Sequence, residues 1–372
     1  MVDRESASVP AGRVLHVLTD ARARGAQVFA RALADRLSAC GQLHELLGLY
    51  AGPQAVVLEH SLGLEPRRLP AGSGLDLRVP GALRRACRRL GPSLVVAHGG
   101  DPLKYLALAA VGSPLVFNAI GTVPHSLRRP HRRWAWRQLV SRAELVVAVS
   151  EAVANEQAWL FGLSAPRLVT IPNGREPEVF RPPDSEPVGR PPTVAFVGQL
   201  TESKRPDLFV SVVSELRRWG LAFSAVAVGD GPMRAALEAP ATQAGVVLLG
   251  SRSDVASLLR RIDVLVLPSR PTGEGMPGVL IEAGLSGVPV VATRVPGADE
   301  VVEHGRTGLL VAVDDAEALA QAVADLVRHP DLRRSMGSQA RQRCLARFSL
   351  DQVASQWASA LANVRLGTQV TS

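Results

Sequence analysis

Glu274 and Glu282 belong to the stretch Pro268-Ser269-Arg270-Pro271-Thr272-Gly273-Glu274-Gly275-Met276-Pro277-Gly278-Val279-Leu280-Ile281-Glu282-Ala283, the first in a glycine-rich turn and the second about a turn and a half into the helix that follows. Two carboxylates so placed can face different parts of one extended ligand. The turn exposes backbone N–H groups at a helix start, an anion site suited to a diphosphate. Lys204 is the next candidate, in Gly198-Gln199-Leu200-Thr201-Glu202-Ser203-Lys204-Arg205-Pro206 ahead of a helix whose apolar residues are Leu208, Phe209, Val212, Val213 and Leu216. A helix start repels a cation, so an ammonium there is best explained by a phosphate within reach of its flexible stem. Only Lys104 and Lys204 are lysines in a chain that otherwise uses Arg for positive charge. Gly229, in Val228-Gly229-Asp230-Gly231-Pro232, ends another apolar run in a tight turn that lets a backbone approach closely.

These residues need rigid elements behind them. Short apolar runs alternate with segments of helical period along the whole chain, the pattern of parallel sheets covered by helices. Strands are expected at Val14–Thr19, His44–Leu49, Leu94–Ala97, Leu115–Asn118, Leu145–Val149 and Leu168–Ile171, then at Val194–Val197, Ser224–Val228, Val246–Leu249, Val264–Leu267, Pro289–Thr293 and Leu309–Val311. Helices are expected over Ala26–Ala39, Leu103–Val111, Trp134–Val140, Glu151–Phe161 and Asp315–Arg328, the last ended by His329-Pro330. Ala51–Val79 reads as irregular. The fold class is α/β, with two Rossmann-like domains at 1–183 and 190–349 joined by the proline-rich stretch Arg181–Pro192. A final amphipathic helix at about 350–365 presents Leu350, Val353, Trp357, Leu361 and Val364 on one face and is expected to cross back to the N-terminal domain.

The chain has 372 residues, 47% of them hydrophobic and 20% charged, which excludes disordered and low-complexity classes and supports two domains. Met1-Val2-Asp3-Arg4-Glu5-Ser6 has neither the basic patch nor the apolar stretch of a secretion signal, and no apolar run is long enough to span a bilayer, so a cytoplasmic location is expected. Cys40, Cys87 and Cys344 lack disulfide or zinc spacing and read as small buried hydrophobes. No cluster of His, Cys and carboxylates has metal-ligand spacing, so no metal and no cofactor is expected. The net charge of +8 lies wholly in residues 1–185, which suggests an acidic partner for that half. Its densest part, 125–142, holds six Arg and no acid, interleaved with Trp134 and Trp136. As a helix from about His131 it fits an anionic membrane surface, or packs its tryptophans within its own domain.

In their order along the chain these motifs resemble the retaining GT-B glycosyltransferases of glycosyltransferase family 4. The likeness continues through Gly287-Val288-Pro289-Val290-Val291-Ala292-Thr293, Pro296-Gly297, Val301-Val302 and Gly305-Arg306-Thr307-Gly308-Leu309-Leu310-Val311, and in the first half through Val149-Ser150-Glu151 and Ile171-Pro172-Asn173-Gly174 with Phe180. It covers most of residues 90–350 and implies two domains around an interdomain cleft.

The resemblance also implies roles. Lys204 binds the donor diphosphate, Glu282 the ribose hydroxyls, and Glu274 with Gly275, Met276, Pro277 and Gly278 the transferred sugar and phosphate, while Gly198 and Gly229 lie in donor-side turns. Gln199 stands where such proteins commonly carry a phosphate-binding Arg, so Arg205, Arg252 or Arg24 must supply that charge. Arg24-Gly25 resembles the family's N-terminal glycine loop with one Gly instead of two, and Ile120 occupies the place of an acceptor-side His. His98 and His125 are the remaining candidates for contact with the acceptor. The implied reaction moves a sugar from a nucleotide-diphosphate donor to a hydroxyl acceptor, soluble or lipid-linked, with retention of configuration. Two other classes stay open: a nucleotide-sugar hydrolase or epimerase on the same fold, and a non-catalytic binder of anionic membrane. Nucleic acid is disfavoured as a partner, because the excess charge lies in one half and no recognition helix or aromatic stacking motif is present.

Overall fold

The computed structural model describes residues 12–22, 24–53, 55–66, 75–184 and 189–370, with side chains to 364. Met1–Ser6 and the part of the proline-rich stretch at 185–188 lie outside the described residues. The chain divides into two compact units, Met1–Pro172 with Val353–Ser372, and Asn173–Gln352. The division therefore falls at Pro172, ahead of the proline-rich stretch that was expected to mark it, and the terminal helix Leu350–Val370 is counted with the first unit from Val353 onward. Residues 173–183 stay with the second unit because Arg175 N–H donates to Phe348 O at 3.0 Å and Leu350 N–H to Arg175 O at 2.8 Å.

In the first unit, among the described residues, strands β1 (Val14–Leu18), β2 (His44–Tyr50), β3 (His60–Leu64), β4 (Leu94–His98), β5 (Leu115–Ala119), β6 (Leu145–Ala148) and β7 (Leu168–Thr170) form one parallel sheet in the order β3-β2-β1-β4-β5-β6-β7. Helices on the crossovers bury the strands on both faces, which is why β1, β4 and β5 are buried at every position and apolar at all but His16, His98 and Asn118. Strand β3 and helix Arg78–Leu90 correct the reading of Ala51–Val79 as irregular. β3 is an edge strand of alternating half-buried and exposed residues, so it lacks the apolar run that marks its neighbours. Helix Glu151–Phe161 begins at Ser150, whose side chain accepts from Val153 N–H.

The interior of this sheet carries an unbroken row of imidazoles. His16 Nδ1 lies 2.9 Å from His98 Nε2, His16 Nε2 lies 2.9 Å from His44 Nδ1, and Asn118 Nδ2 donates to His98 Nδ1 at 3.1 Å. The amide donor sets the polarity of the row, with each ring donating from Nε2 to the next Nδ1, so all three rings are neutral. Burial pushes His98 down to about 3, and burial with the neighbouring imidazoles holds His16 well below the ordinary value. Trp357, fully buried, stacks on His98 with centroids 6.4 Å apart, so the final helix packs on the row.

In the second unit β8 (Thr193–Val197), β9 (Ser224–Val228), β10 (Val246–Gly250), β11 (Val264–Leu267), β12 (Val290–Thr293) and β13 (Gly308–Val311) form a parallel sheet ordered β10-β9-β8-β11-β12-β13. Its core joins Phe196 and Phe209, rings 5.9 Å apart, to Leu216, Val264, Leu319 and Val323. Helix Ala316–Arg328 starts at Asp315, whose side chain accepts from Ala318 N–H. His329-Pro330 ends that helix but opens another, Pro330–Phe348, since proline at the first helical position loses no bond. Cys87 and Cys344 are buried, their thiols pushed up to about 11 and about 12, whereas Cys40 is exposed, contrary to the buried reading of all three.

The imidazole row makes the fold acid-sensitive. An unfolded chain takes up protons below about pH 6.5 that folded His98 refuses, so stability is complete above that pH and falls as the pH drops towards the folded value. Melting temperature should decline steadily from about pH 7 to about pH 4.5, with a shallower slope in His98→Gln. Identical slopes in the two proteins would remove the row as the cause.

Candidate functional site

The strand order of the second unit reverses between β8 and β11, so the segments after these strands leave in opposite directions and open a crevice at the carboxyl edge of the sheet. Lys204 arrives on the segment after β8 and Glu274 on the segment after β11. Lys204 Nζ meets Glu274 Oε1 at 2.5 Å, with Glu274 buried and Lys204 half-buried. The two segments are tied by Arg270 N–H donating to Ser203 O at 2.7 Å. Lys204 and Glu274, separated by seventy positions in sequence, are thus one ion pair spanning the switch point.

Gly198 and Gly229 form the floor beside it. Gly198 N–H donates to Val228 O at 2.9 Å, and Gly229, at φ 134°, stands so close that a Cβ there would lie 1.9 Å from Gly198 O. No side-chain-bearing residue fits. Gln199 is exposed beside this turn.

Helix Gly278–Leu285 follows the turn that holds Glu274, and no side chain caps its start. Gly275, Met276 and Pro277 are buried beneath the turn. Pro277 has no N–H, so any anion-facing amides come from Gly275, Met276 and Gly278. Glu282 projects from this helix and its Oε1 accepts from Arg175 Nε at 2.7 Å, while its Oε2 carries no hydrogen bond among the described residues. Arg175 is buried, donates also to Gly174 O at 2.9 Å, and occupies the space where a side chain on Gly278 would sit, 2.2 Å from Nη2. Asn173 Nδ2 donates to Met276 O at 3.4 Å.

Arg175 is the residue that sequence reasoning missed. Its neighbours Asn173 and Gly174 stood out as a motif, but its pairing with Glu282 crosses 107 positions and depends on tertiary packing. Two of the three charges expected to stand in for an arginine at Gln199 are committed elsewhere. Arg205, in the left-handed region at φ 52°, bonds Asp207 and Asp314, and Arg252 holds Asp254 through two bonds of 2.8 Å. Arg24 is exposed and Gly25 opens helix Gly25–Ser38, both in the first unit.

On the acceptor side the structure corrects one expectation. His98 is buried with both ring nitrogens bonded to His16 and Asn118, so it is a core residue and not a contact for an incoming substrate. His125 lies exposed in the 3-10 turn His125–Arg128. Ile120 Cδ1 lies 3.0 Å from where a Cβ on Gly99 would be, next to the reversal of strand order between β1 and β4. Lys104 bonds Asp101 at 2.9 Å and lies over the Tyr105 ring, a structural setting.

The matches to known proteins agree with this geometry. Residues 191–329 match the family model described as glycosyl transferases group 1, and residues 23–179 the model described as glycosyltransferase family 4. Solved structures with the same two-sheet GT-B architecture include Anabaena Alr3699/HepE in complex with UDP-glucose, at a TM-score of 0.80 and 20% identity over 95% of this chain and 100% of that one. An exopolysaccharide phosphotransferase of Streptomyces coelicolor is 32% identical over 66% of this chain and 27% of its own length. A GDP-mannose-dependent alpha-(1-6)-phosphatidylinositol monomannoside mannosyltransferase of Mycolicibacterium smegmatis is 33% identical over 56% of this chain and 59% of its own length. The chain belongs to glycosyltransferase family 4, the group 1 glycosyltransferases.

The buried pair is testable without any substrate. Removing one partner of such a pair leaves an uncompensated buried charge, so Arg175→Met should destabilise by about 3–5 kcal/mol. In Arg175→Met/Glu282→Gln much of that loss should return, giving a coupling of about 1–3 kcal/mol in urea denaturation. Strict additivity would mean the two side chains are energetically independent.

Proposed function

We propose that this chain is a retaining glycosyltransferase that moves a sugar from a nucleotide-diphosphate sugar to a hydroxyl acceptor. The observation that carries the reading is the Lys204–Glu274 pair across the switch between β8 and β11, beside an uncapped helix start and the half-free carboxylate of Glu282. UDP and UDP-glucose are bound by the HepE relatives of the same fold.

In this reading Lys204 exchanges its bond to Glu274 for the donor diphosphate and stabilises the charge that builds on the leaving group. The amides of Gly275, Met276 and Gly278 share that task in a position where they need no reorganisation. Glu274, released from Lys204, holds the transferred sugar, and Glu282 Oε2 takes the ribose hydroxyls while Arg175 fixes Oε1. The acceptor oxygen attacks on the face from which the diphosphate departs, and a diphosphate oxygen takes the acceptor proton. The donor's charge is met by Lys204 and the oriented amides, and the reading assigns no part to a metal.

A membrane-proximal acceptor is part of this reading, and helix Pro130–Val140 with the turn before it supports it. Trp136 packs inward, its ring 3.2 Å from the Cβ position of Gly100, and Val140 is buried. Trp134 is 67% exposed, as is Trp159 on the neighbouring helix, and the Arg133 guanidinium lies over the Trp159 ring. Arg128 bonds Glu156 and Arg133 donates to Leu160 O at 2.8 Å, which leaves Arg129, Arg132, Arg137 and Arg142 of this segment to meet lipid phosphates. No helix among the described residues is long and apolar enough to cross a membrane.

Lys204→Ala should weaken nucleoside-diphosphate binding by roughly tenfold or more, the worth of a charge-assisted hydrogen bond. Glu282→Gln should lose affinity for a ribose donor but not for its 2′,3′-dideoxy form. Calorimetry on the two variants reads both effects, and unchanged diphosphate affinity in Lys204→Ala would refute the donor site. Product mass with and without added acceptor then separates transfer from hydrolysis.

Vesicle co-sedimentation addresses the acceptor side. Binding should require anionic lipid, weaken with salt, and fall in Arg129→Ser/Arg132→Ser/Trp134→Ser. Indifference to lipid charge would favour a soluble acceptor.

A further inference from the structure

At the edge of the second sheet opposite the crevice lies a cavity of about 430 Å³, entered where β11 and β12 begin. Arg190, Arg260, Arg333, Arg334 and Arg341 contribute to its walls. Asp263 is the one acid among the described lining residues, and its Oδ2 is already held by Arg190 at 2.7 Å and by Thr193 N–H at 2.8 Å. Some of the arginines have local partners: Arg333 donates to Leu326 O at 2.7 Å, Arg341 to Leu285 O, Arg260 to Ser257 Oγ at 2.9 Å, and Arg334 to the exposed Asp331. Each guanidinium has five N–H groups, and carbonyl or hydroxyl partners leave its charge in place. Burial, with Arg334 and Arg190 nearby, holds Arg333 below its ordinary basicity despite the opposing pull of Asp263.

An independent observation adjoins the same space. Ser286 is 2% exposed, lines the cavity, and its hydroxyl has no hydrogen-bond partner among the described residues. A buried unpaired hydroxyl and a group of like charges in a partly dry wall are both costly. One occupant with several anionic oxygens relieves both.

We propose that this cavity is a second ligand site, distinct from the switch-point crevice, that binds a small phosphorylated metabolite of sugar-phosphate size. The volume lies within the range of about 300–1,000 Å³ typical of small-molecule sites. Planar guanidinium forks match phosphate oxygens, and Ser286 adds a hydroxyl donor. Ser286 directly follows helix Gly278–Leu285, so the occupant touches one end of the element whose body carries Glu282. The proposal stands apart from the donor assignment and does not need it.

The test is calorimetric titration of the full chain with glucose 6-phosphate, with glucose and inorganic phosphate as controls, in four proteins: the unaltered chain, Ser286→Ala, Arg260→Ser/Arg334→Ser and Lys204→Ala. Glucose 6-phosphate should bind, glucose should not, and inorganic phosphate should bind more weakly at the same stoichiometry. The arginine variant should lose at least about tenfold in affinity, while Lys204→Ala keeps it. Ser286→Ala should weaken binding without lowering the melting temperature of the unliganded protein, because its hydroxyl has no partner to lose. The proposal is overturned if the unaltered chain does not bind glucose 6-phosphate or if the arginine variant binds it equally well. Loss in Lys204→Ala with retention in the cavity variants assigns the binding to the crevice and overturns it too.

Discussion

Everything at the candidate site depends on one feature of backbone topology: β8 and β11 are neighbours whose following segments diverge. Parallel strands joined by right-handed crossovers place all carboxyl ends on one edge, and only where the order reverses do two adjacent segments part to leave a gap. Lys204 and Glu274 come from the segments on either side of that gap. The glycines around it serve the same constraint, since the β8 and β9 turns meet too closely for a Cβ at Gly229.

Charge in this unit is organised in pairs of unlike solvent access. Lys204 and Glu274 meet at the mouth of the crevice, where a ligand can compete for either. In the second pair Arg175 is the enclosed partner, strapped through its backbone to Phe348 and Leu350, and the Glu282 carboxylate is half-buried. Arg205 and Arg252, bound to aspartates, show how readily local carboxylates take up arginines that sequence alone leaves unassigned.

In the first unit, polar side chains are spent on the core. His16, His44, His98 and Asn118 form a row across β1, β2, β4 and β5, and Trp357 closes over it from the final helix. Such a row is stable inside a sheet because the neutral imidazoles of His98 and His16 each give one bond and accept one. That arrangement explains a histidine at the carboxyl end of β4 without any appeal to substrate.

Local chemistry was legible in the sequence because it is encoded locally. Apolar runs of strand length placed β9 and β11 at their observed bounds, and helical period following a glycine turn put Glu282 on a helix and Glu274 in a loop. Motif order carried the family. What required tertiary structure were relations between distant positions: Arg175 with Glu282, His16 with His98, and five arginines drawn from 190 to 341 around one cavity. Strand order decides which of these residues become neighbours, and periodicity carries no record of strand order. The edge strand His60–Leu64 escaped for a related reason, since half its side chains face solvent and the apolar signal that betrays buried strands is absent. The boundary at Pro172 was hidden likewise, because prolines report where a ladder must stop, while backbone bonds from Arg175 to Phe348 and Leu350 determine which unit a segment joins.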